Sequence, residues 1–243
     1  MANNSFSFDS SDEKASYVNA MFTHIAGRYD RMNRLMSLGR DQSWRCRAIK
    51  LAAIPPGGRL LDVATGTGDL ALLSLEHDPS VRVVGTDFTI EMMRFGRLKE
   101  NGRSGRSPVI DWTGGDALHL PYPDQTFDAV VSGFMMRNVT DIAGALAEQR
   151  RVVRPGGRVV CLEMTHPTIP LWRAVYPWIF GRLMPFLTGF LSGQPEAYRY
   201  LPASVVSFVD AEQLKAVMER IGLRGVGYQT MMLGTVAIHV GVR

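Results

Sequence analysis

The chain predicts an α/β fold built on a doubly wound, mostly parallel seven-stranded sheet. Three observations carry that expectation. From Arg59 onward, short apolar runs alternate with helical patterns, and Gly, Pro, Asn or Asp clusters mark each change. The first run, Leu60-Leu61-Asp62-Val63-Ala64, feeds a glycine-bearing turn, Thr65-Gly66-Thr67-Gly68-Asp69, with a helix start behind it. Such a strand-turn-helix unit aims backbone N–H groups at a small ligand, and its glycines let that ligand approach the backbone.

Met1 to about Lys14 is rich in Ser, Asn and Asp, which predicts a flexible N-terminus over residues 1–16 ahead of a single domain spanning 17–243. Val18, Met21, Phe22 and Ile25 recur at helical spacing, Gly27 interrupts them, and a further helix spans Gln42 to Ala53 before Pro55-Pro56-Gly57-Gly58. These helices, residues 17–53, read either as a lid across the sheet or as an appendage covering apolar surface.

Strand one runs from Arg59 to Ala64 and its helix from Asp69 to about His77; strand two is Val81 to Thr86, ending at Asp87, and Thr89 caps the next helix. Strand three is Pro108 to Trp112, strand four Phe127 to Val131 and strand five Arg158 to Glu163, the last preceded by a helix ending at Pro155-Gly156-Gly157. Residues 168–204 break the rhythm with a helical insertion rich in Trp, Tyr and Phe, in which Pro170, Pro177, Pro185 and Pro195 argue against a membrane span. It reads equally as a helical pair packed on the core or as an aromatic cover that admits a lipid tail and touches a bilayer. Asp210-Ala211-Glu212-Gln213 forms a capping-box pattern, and two strands around Leu233-Gly234 close the sheet with one antiparallel member.

The bulk composition narrows the class. A length of 243 residues suits one domain, and a formal charge of +4, without a basic run interleaved with aromatics, gives no nucleic-acid signature. Cys46 and Cys161 are far apart and read as reduced thiols of a cytoplasmic protein, and the histidines form no metal-ligand spacing. The polar start carries no signal region, and no stretch supplies a span.

Three acids then stand at three successive strand ends: Asp62, Asp87 and Asp116. Gly66-Thr67-Gly68-Asp69-Leu70-Ala71 fits the dinucleotide fingerprint, so a nicotinamide cofactor stays open. Charge favours another ligand. Asp62 and Asp69 flank a loop that would have to hold two phosphates, whereas the sulfonium and ammonium of S-adenosylmethionine gain from neighbouring carboxylates. Asp87 suits the ribose hydroxyls, Asp116 the adenine amino group, and Asp62 the methionine end.

Arg28-Tyr29-Asp30-Arg31-Met32-Asn33, Leu61 through Asp69, Gly115-Asp116-Ala117, Arg137-Asn138-Val139-Thr140-Asp141 and Ala197-Tyr198-Arg199-Tyr200-Leu201 together resemble the ubiquinone/menaquinone biosynthesis C-methyltransferase family. The resemblance covers the chain from Tyr17 to its end and implies a class I, Rossmann-like methyltransferase with S-adenosylmethionine contacts at Thr67, Asp87, Asp116 and Ala117. Gly66, Gly68 and Gly133 join Asp62 as further candidates for the cofactor site.

It also implies methylation of a ring carbon of a reduced polyprenyl naphthoquinol. A phenolic hydroxyl with a pKa of about 10 is mostly protonated at neutral pH, so a base or cationic stabiliser is needed. Arg137 is the candidate for stabilising the developing phenolate, with Asn138 and Tyr29 orienting the quinol oxygens. Arg137 pairing with Asp141 is the plain alternative, and His24 is an alternative base. Phe134-Met135-Met136 stands where the family often has Phe-Gly-Leu, and Gly133 where members that also act on ubiquinone precursors can carry Ser, which leans the acceptor toward a menaquinone precursor. Other lipophilic phenols and a non-catalytic scaffold in a quinone-biosynthesis complex remain as alternatives. Transient contact with the inner face of a membrane and self-association stay open.

Overall fold

The computed structural model describes residues 8–102, 110–167, 172 and 195–243. Its strands are β1 (Arg59–Val63), β2 (Arg82–Asp87), β3 (Ile110–Gly114), β4 (Phe127–Gly133), β5 (Val153–Met164), β6 (Arg224–Met231) and β7 (Val236–Val242). They form one sheet in the order β3-β2-β1-β4-β5-β7-β6, in which only β7 runs antiparallel to its neighbours. Strand order turns back at β1, which pairs with both β2 and β4, so the carboxyl ends of these three strands flank one crevice.

Among the described residues the α-helices are α1 (Ser11–Ile25), α2 (Tyr29–Met36), α3 (Asp41–Ala52), α4 (Asp69–His77), α5 (Ile90–Asn101), α6 (Ile142–Val152), α7 (Pro195–Val206) and α8 (Ala211–Arg220). Strand alternation divides the core between the two faces of the sheet. Leu61, Val130, Val159 and Cys161 meet Leu146 of α6 and Leu214 and Met218 of α8 on one face. Their neighbours in sequence, Leu60, Val131, Val160 and Leu162, meet Trp44, Ala48 and Ile49 of α3 and Leu70 of α4 on the other.

Three boundaries differ from the sequence-based expectation. Residues 11–16 are helical, because Ser10 accepts from the Glu13 N–H at 3.1 Å and Asp12 and Glu13 sit where the helix dipole favours negative charge. Among the described residues, β3 runs two residues further, to Gly114, with Glu100 accepting from the Ile110 N–H at 3.0 Å and the Trp112 indole at 2.9 Å. Val153 already pairs with Phe127, so β5 begins before the Pro-Gly-Gly turn. The capping box at α8 is present in both directions, Asp210 to Gln213 and back. Most of the predicted insertion over 168–204 lies outside the described residues; what is described of it is Trp172 and the start of α7.

Candidate active site

The turn between β1 and α4 bends sharply because Ala64, Gly66 and Gly68 all take left-handed backbone conformations, with φ of 54°, 58° and 77°. That bend carries the Gly66 N–H to the Asp87 carboxylate at 2.7 Å, and the other Asp87 oxygen accepts from the Thr89 N–H, also at 2.7 Å. Burial outweighs these bonds and pushes Asp87 up to about 6.

Asp62 does not reach the crevice. Its side chain lies beneath the turn, accepting from the Thr65 hydroxyl at 2.7 Å and the Ala71 N–H at 3.2 Å, so the expected place beside the methionine end is corrected to a brace under the loop. Burial pushes it up to about 7. Gly68 is likewise turned inward: a Cβ there would meet the Trp112 ring at 2.5 Å. The Thr67 hydroxyl donates to Asp30 of α2 at 2.5 Å, and Lys99 donates to both Asp30 and Asp69 at 2.6 Å. Thr67 is therefore committed to holding α2 on the glycine turn.

Gly66, Asp87, Asp116, Ala117 and Gly133 do come together, lining a cavity of about 480 Å³ roofed by Asp12, Ala15, Val18 and Phe22 of α1. Of the segment 17–53, read as a lid or an appendage, Val18, Phe22 and Tyr29 line this cavity. Lys14 pins the roof by donating to the Val139 carbonyl at 2.7 Å. Asp12, Asp87 and Asp116 line the cavity, and no lysine or arginine does among the described residues. A cationic ligand suits that field; a pyrophosphate does not.

A second chamber of about 120 Å³ adjoins it, and Phe22, Tyr29, Phe134 and Asn138 belong to both walls. The rest of its lining is mostly apolar, with Met21, Ile25, Met32, Met36, Trp44 and Met164 among the contributors. Three buried polar atoms of lining residues lack a hydrogen-bond partner: Asn33 Nδ2, Arg137 Nε and Asn138 Oδ1. Orphaned buried groups of this kind each cost about 1–3 kcal/mol, so their concentration in one small chamber points to a polar ligand that satisfies them.

Arg137 pairs with Glu163, not with Asp141, whose side chain caps α6 by accepting from the Gly144 N–H. Both members of the pair are buried, and the Arg137 guanidinium stands 5.7 Å from the centre of the Phe134 ring. Asn138 is oriented by donating its amide to the Phe134 carbonyl at 3.2 Å. Burial raises the Tyr29 pKa, keeping its hydroxyl protonated. His24 is exposed, with Nδ1 2.6 Å from the Ala20 carbonyl, and lines neither chamber. Asn33 and Glu163 escaped sequence reasoning. Asn33 had a signal, since it follows Tyr29 by four residues and shares its helix face; Glu163 had none, being 26 residues from Arg137.

Residues 9–243 match the model of the ubiE/COQ5 methyltransferase family. The chain is 47% identical over 223 residues to the demethylmenaquinone methyltransferase of Thermus thermophilus, covering 92% of this chain and all of that protein. It is 44% identical to the demethylmenaquinone methyltransferase of Roseiflexus castenholzii, covering 96% and 95% of the two chains. With the ubiquinone/menaquinone biosynthesis C-methyltransferase UbiE of Geobacter sulfurreducens it shares 42%, covering 94% and 89%. In fold it is similar to a SAM-dependent methyltransferase from Aquifex aeolicus, with a TM-score of 0.60 at 17% identity over 87% of this chain and 96% of that one. The two-sided sheet, the acid-lined crevice and these matches lead to one conclusion: the chain belongs to the ubiE/COQ5 methyltransferase family.

Proposed function

We propose that this chain methylates a ring carbon of demethylmenaquinol, using S-adenosylmethionine as donor, on the cytoplasmic side of a membrane. The observation that carries the reading is the meeting of an acid-lined cavity with an apolar chamber holding three unpartnered polar atoms. S-adenosylmethionine, when bound, supplies a methyl group on a positively charged sulfur. Asp87 and Asp116 would hold its ribose and adenine, and Gly66 and Gly133 let it approach the backbone.

On the acceptor side, the ring carbon becomes nucleophilic when a neighbouring hydroxyl gives up its proton to solvent and negative charge builds on oxygen; the hydrogen that the methyl group displaces from the ring carbon then returns to that oxygen as a proton, so one proton leaves per turnover. Arg137 meets that charge with its free Nε–H, and Glu163 keeps the guanidinium from being a lone buried cation. Tyr29, held protonated, and Asn33 offer donors, and Asn138 Oδ1 accepts. The apolar walls exclude water, and holding donor and acceptor in line contributes roughly 7–11 kcal/mol of the barrier reduction.

Incubation with isotope-labelled S-adenosylmethionine and reduced demethylmenaquinone, followed by mass analysis, tests the reading; label on the quinone ring is the expected result. A ubiquinone precursor run in parallel tests the neighbouring substrate class, and the curated names of the Thermus and Roseiflexus relatives support the naphthoquinol. Calorimetry with S-adenosylmethionine and then NADH discriminates the cofactors, and heat with NADH alone would defeat the reading.

A further inference from the structure

Four large apolar side chains stand in water at or next in sequence to residues that line the acceptor chamber. Leu38 is 78% exposed, Leu233 59%, Leu35 50% and Met232 39%. Leu35 lies in the last turn of α2 and Leu38 in the turn that follows it, while Met232 and Leu233 form the turn between β6 and β7. Met36 at the end of α2, Ser37 after it, and Met232 and Thr235 of the β6–β7 turn line the same chamber, so both turns border it.

The backbone makes this arrangement harder to dismiss as incidental. Leu38, Met232 and Leu233 all have left-handed conformations, with φ of 53°, 52° and 57°, where side chains beyond glycine are disfavoured. Hydrogen bonds hold both turns in that form: Gly39 N–H to Arg34 O at 2.7 Å and Thr235 Oγ1 to Met232 O at 2.8 Å. Strain and exposure coincide at the same three residues. Strained backbone persists where a position is over-determined, and such positions cluster at ligand clamps and binding surfaces.

The charges around the first turn favour one partner. Arg31, Arg34 and Arg40 are exposed and make no ion pair among the described residues. Apolar tips with exposed arginines close by in sequence complement an anionic lipid surface, where tips sit among the acyl chains and guanidinium groups lie at the headgroups. No helix among the described residues is long and apolar enough to cross a membrane. A chamber of about 120 Å³ suits a ring and little more, which leaves a polyprenyl tail outside.

We propose that the Leu35/Leu38 and Met232/Leu233 turns dock on an anionic bilayer, so that the quinol ring rises into the chamber while its tail stays among the lipids. The inference rests on reading the acceptor as a lipid-tailed quinol, and its test separates the two.

Purified full-length protein is floated with vesicles of phosphatidylcholine alone or mixed with phosphatidylglycerol, and compared with Leu38→Asn/Leu233→Asn and with Arg31→Gln/Arg34→Gln/Arg40→Gln. Asparagine tolerates the left-handed backbone, so the first variant keeps or raises Tm. Wild type binds the anionic vesicles; the leucine variant binds them at least about tenfold more weakly, and the arginine variant loses about fivefold per charge, on anionic vesicles only. Both variants retain methylation of a tailless naphthoquinol in solution while losing it on a long-tailed quinol in vesicles. Wild type that ignores anionic vesicles, or variants that bind them undiminished, would overturn the proposal. So would a wild-type dimer that the leucine variant makes monomeric with vesicle binding unchanged, which would assign the face to a second copy. Failure on the tailless quinol, with vesicle binding intact, would count against the acceptor reading alone.

Discussion

The two chambers share a wall yet solve opposite problems. The larger cavity is lined by acids, two of which are already bonded to backbone amides: Asp87 to Gly66 and Thr89, Asp116 to the Leu118 N–H at 2.9 Å. Asp87 and Asp116 are bonded before any ligand arrives, and the cavity selects by field. The smaller chamber is apolar and leaves Asn33 Nδ2, Arg137 Nε and Asn138 Oδ1 without partners, so it selects by unmet hydrogen bonds. Permanent charge on one side and charge that develops during reaction on the other account for the contrast: a sulfonium is cationic throughout, whereas the phenolate exists only along the reaction path.

Breaking the smaller chamber gives the largest effect. Arg137→Ala should lower turnover by about 10²–10³-fold, as loss of an oxyanion donor does, with the dissociation constant for S-adenosylmethionine within about twofold of wild type. Single-turnover kinetics and calorimetry read the two quantities separately, and an equal loss in both would erase the contrast.

On the cofactor side, Asp87→Asn should weaken S-adenosylmethionine binding by about tenfold while leaving the rate at saturating cofactor nearly unchanged. Because Asp87 is pushed up to about 6, wild-type affinity should rise as pH increases through that value, and the asparagine variant should lack this rise. Titrations from pH 5 to 7.5 check it.

Asn33→Leu sharpens the smaller chamber. Filling it with an apolar isostere removes an orphaned donor, so Tm should hold or rise while kcat/KM for the quinol falls about tenfold.

The smallest effect is on stability. Asp62, pushed up to about 7, binds a proton in the folded chain that an unfolded aspartate releases near 4. Its contribution is therefore fully present below about pH 4 and lost as pH rises toward 7. Asp62→Asn should flatten this part of the Tm profile, by roughly 10 °C across the window in cofactor-free protein.

How far the sequence disclosed this site depended on whether a residue's role was local. Leu60 to Leu70 announced itself because strand, turn and helix start are each written within a few residues, and Asp87 and Asp116 followed as strand-end acids lining the crevice. Asp62 obeyed the same pattern but points under the turn, because the left-handed residues at 64, 66 and 68 fold the loop over it. Strand-end position alone does not tell above from below. Thr67 was readable as a loop residue, while its partner Asp30 lies 37 residues earlier on another helix. Glu163 shows the same limit: Arg137 was identified by motif, and the carboxylate that neutralises it became visible only once β4 and β5 lay side by side.

Helix α2, eight residues long, faces four ways at once. Tyr29 and Asn33 line the smaller chamber, Asp30 grips the glycine turn, Met32 and Met36 line the chamber's apolar wall, and Arg31, Arg34 and Leu35 look outward. Each residue advances about 100° around the axis. Inserting a single alanine after Arg28 would turn every one of those faces away from its target by more than a quarter of a circle, so this segment should tolerate changes of side chain far better than any change of length.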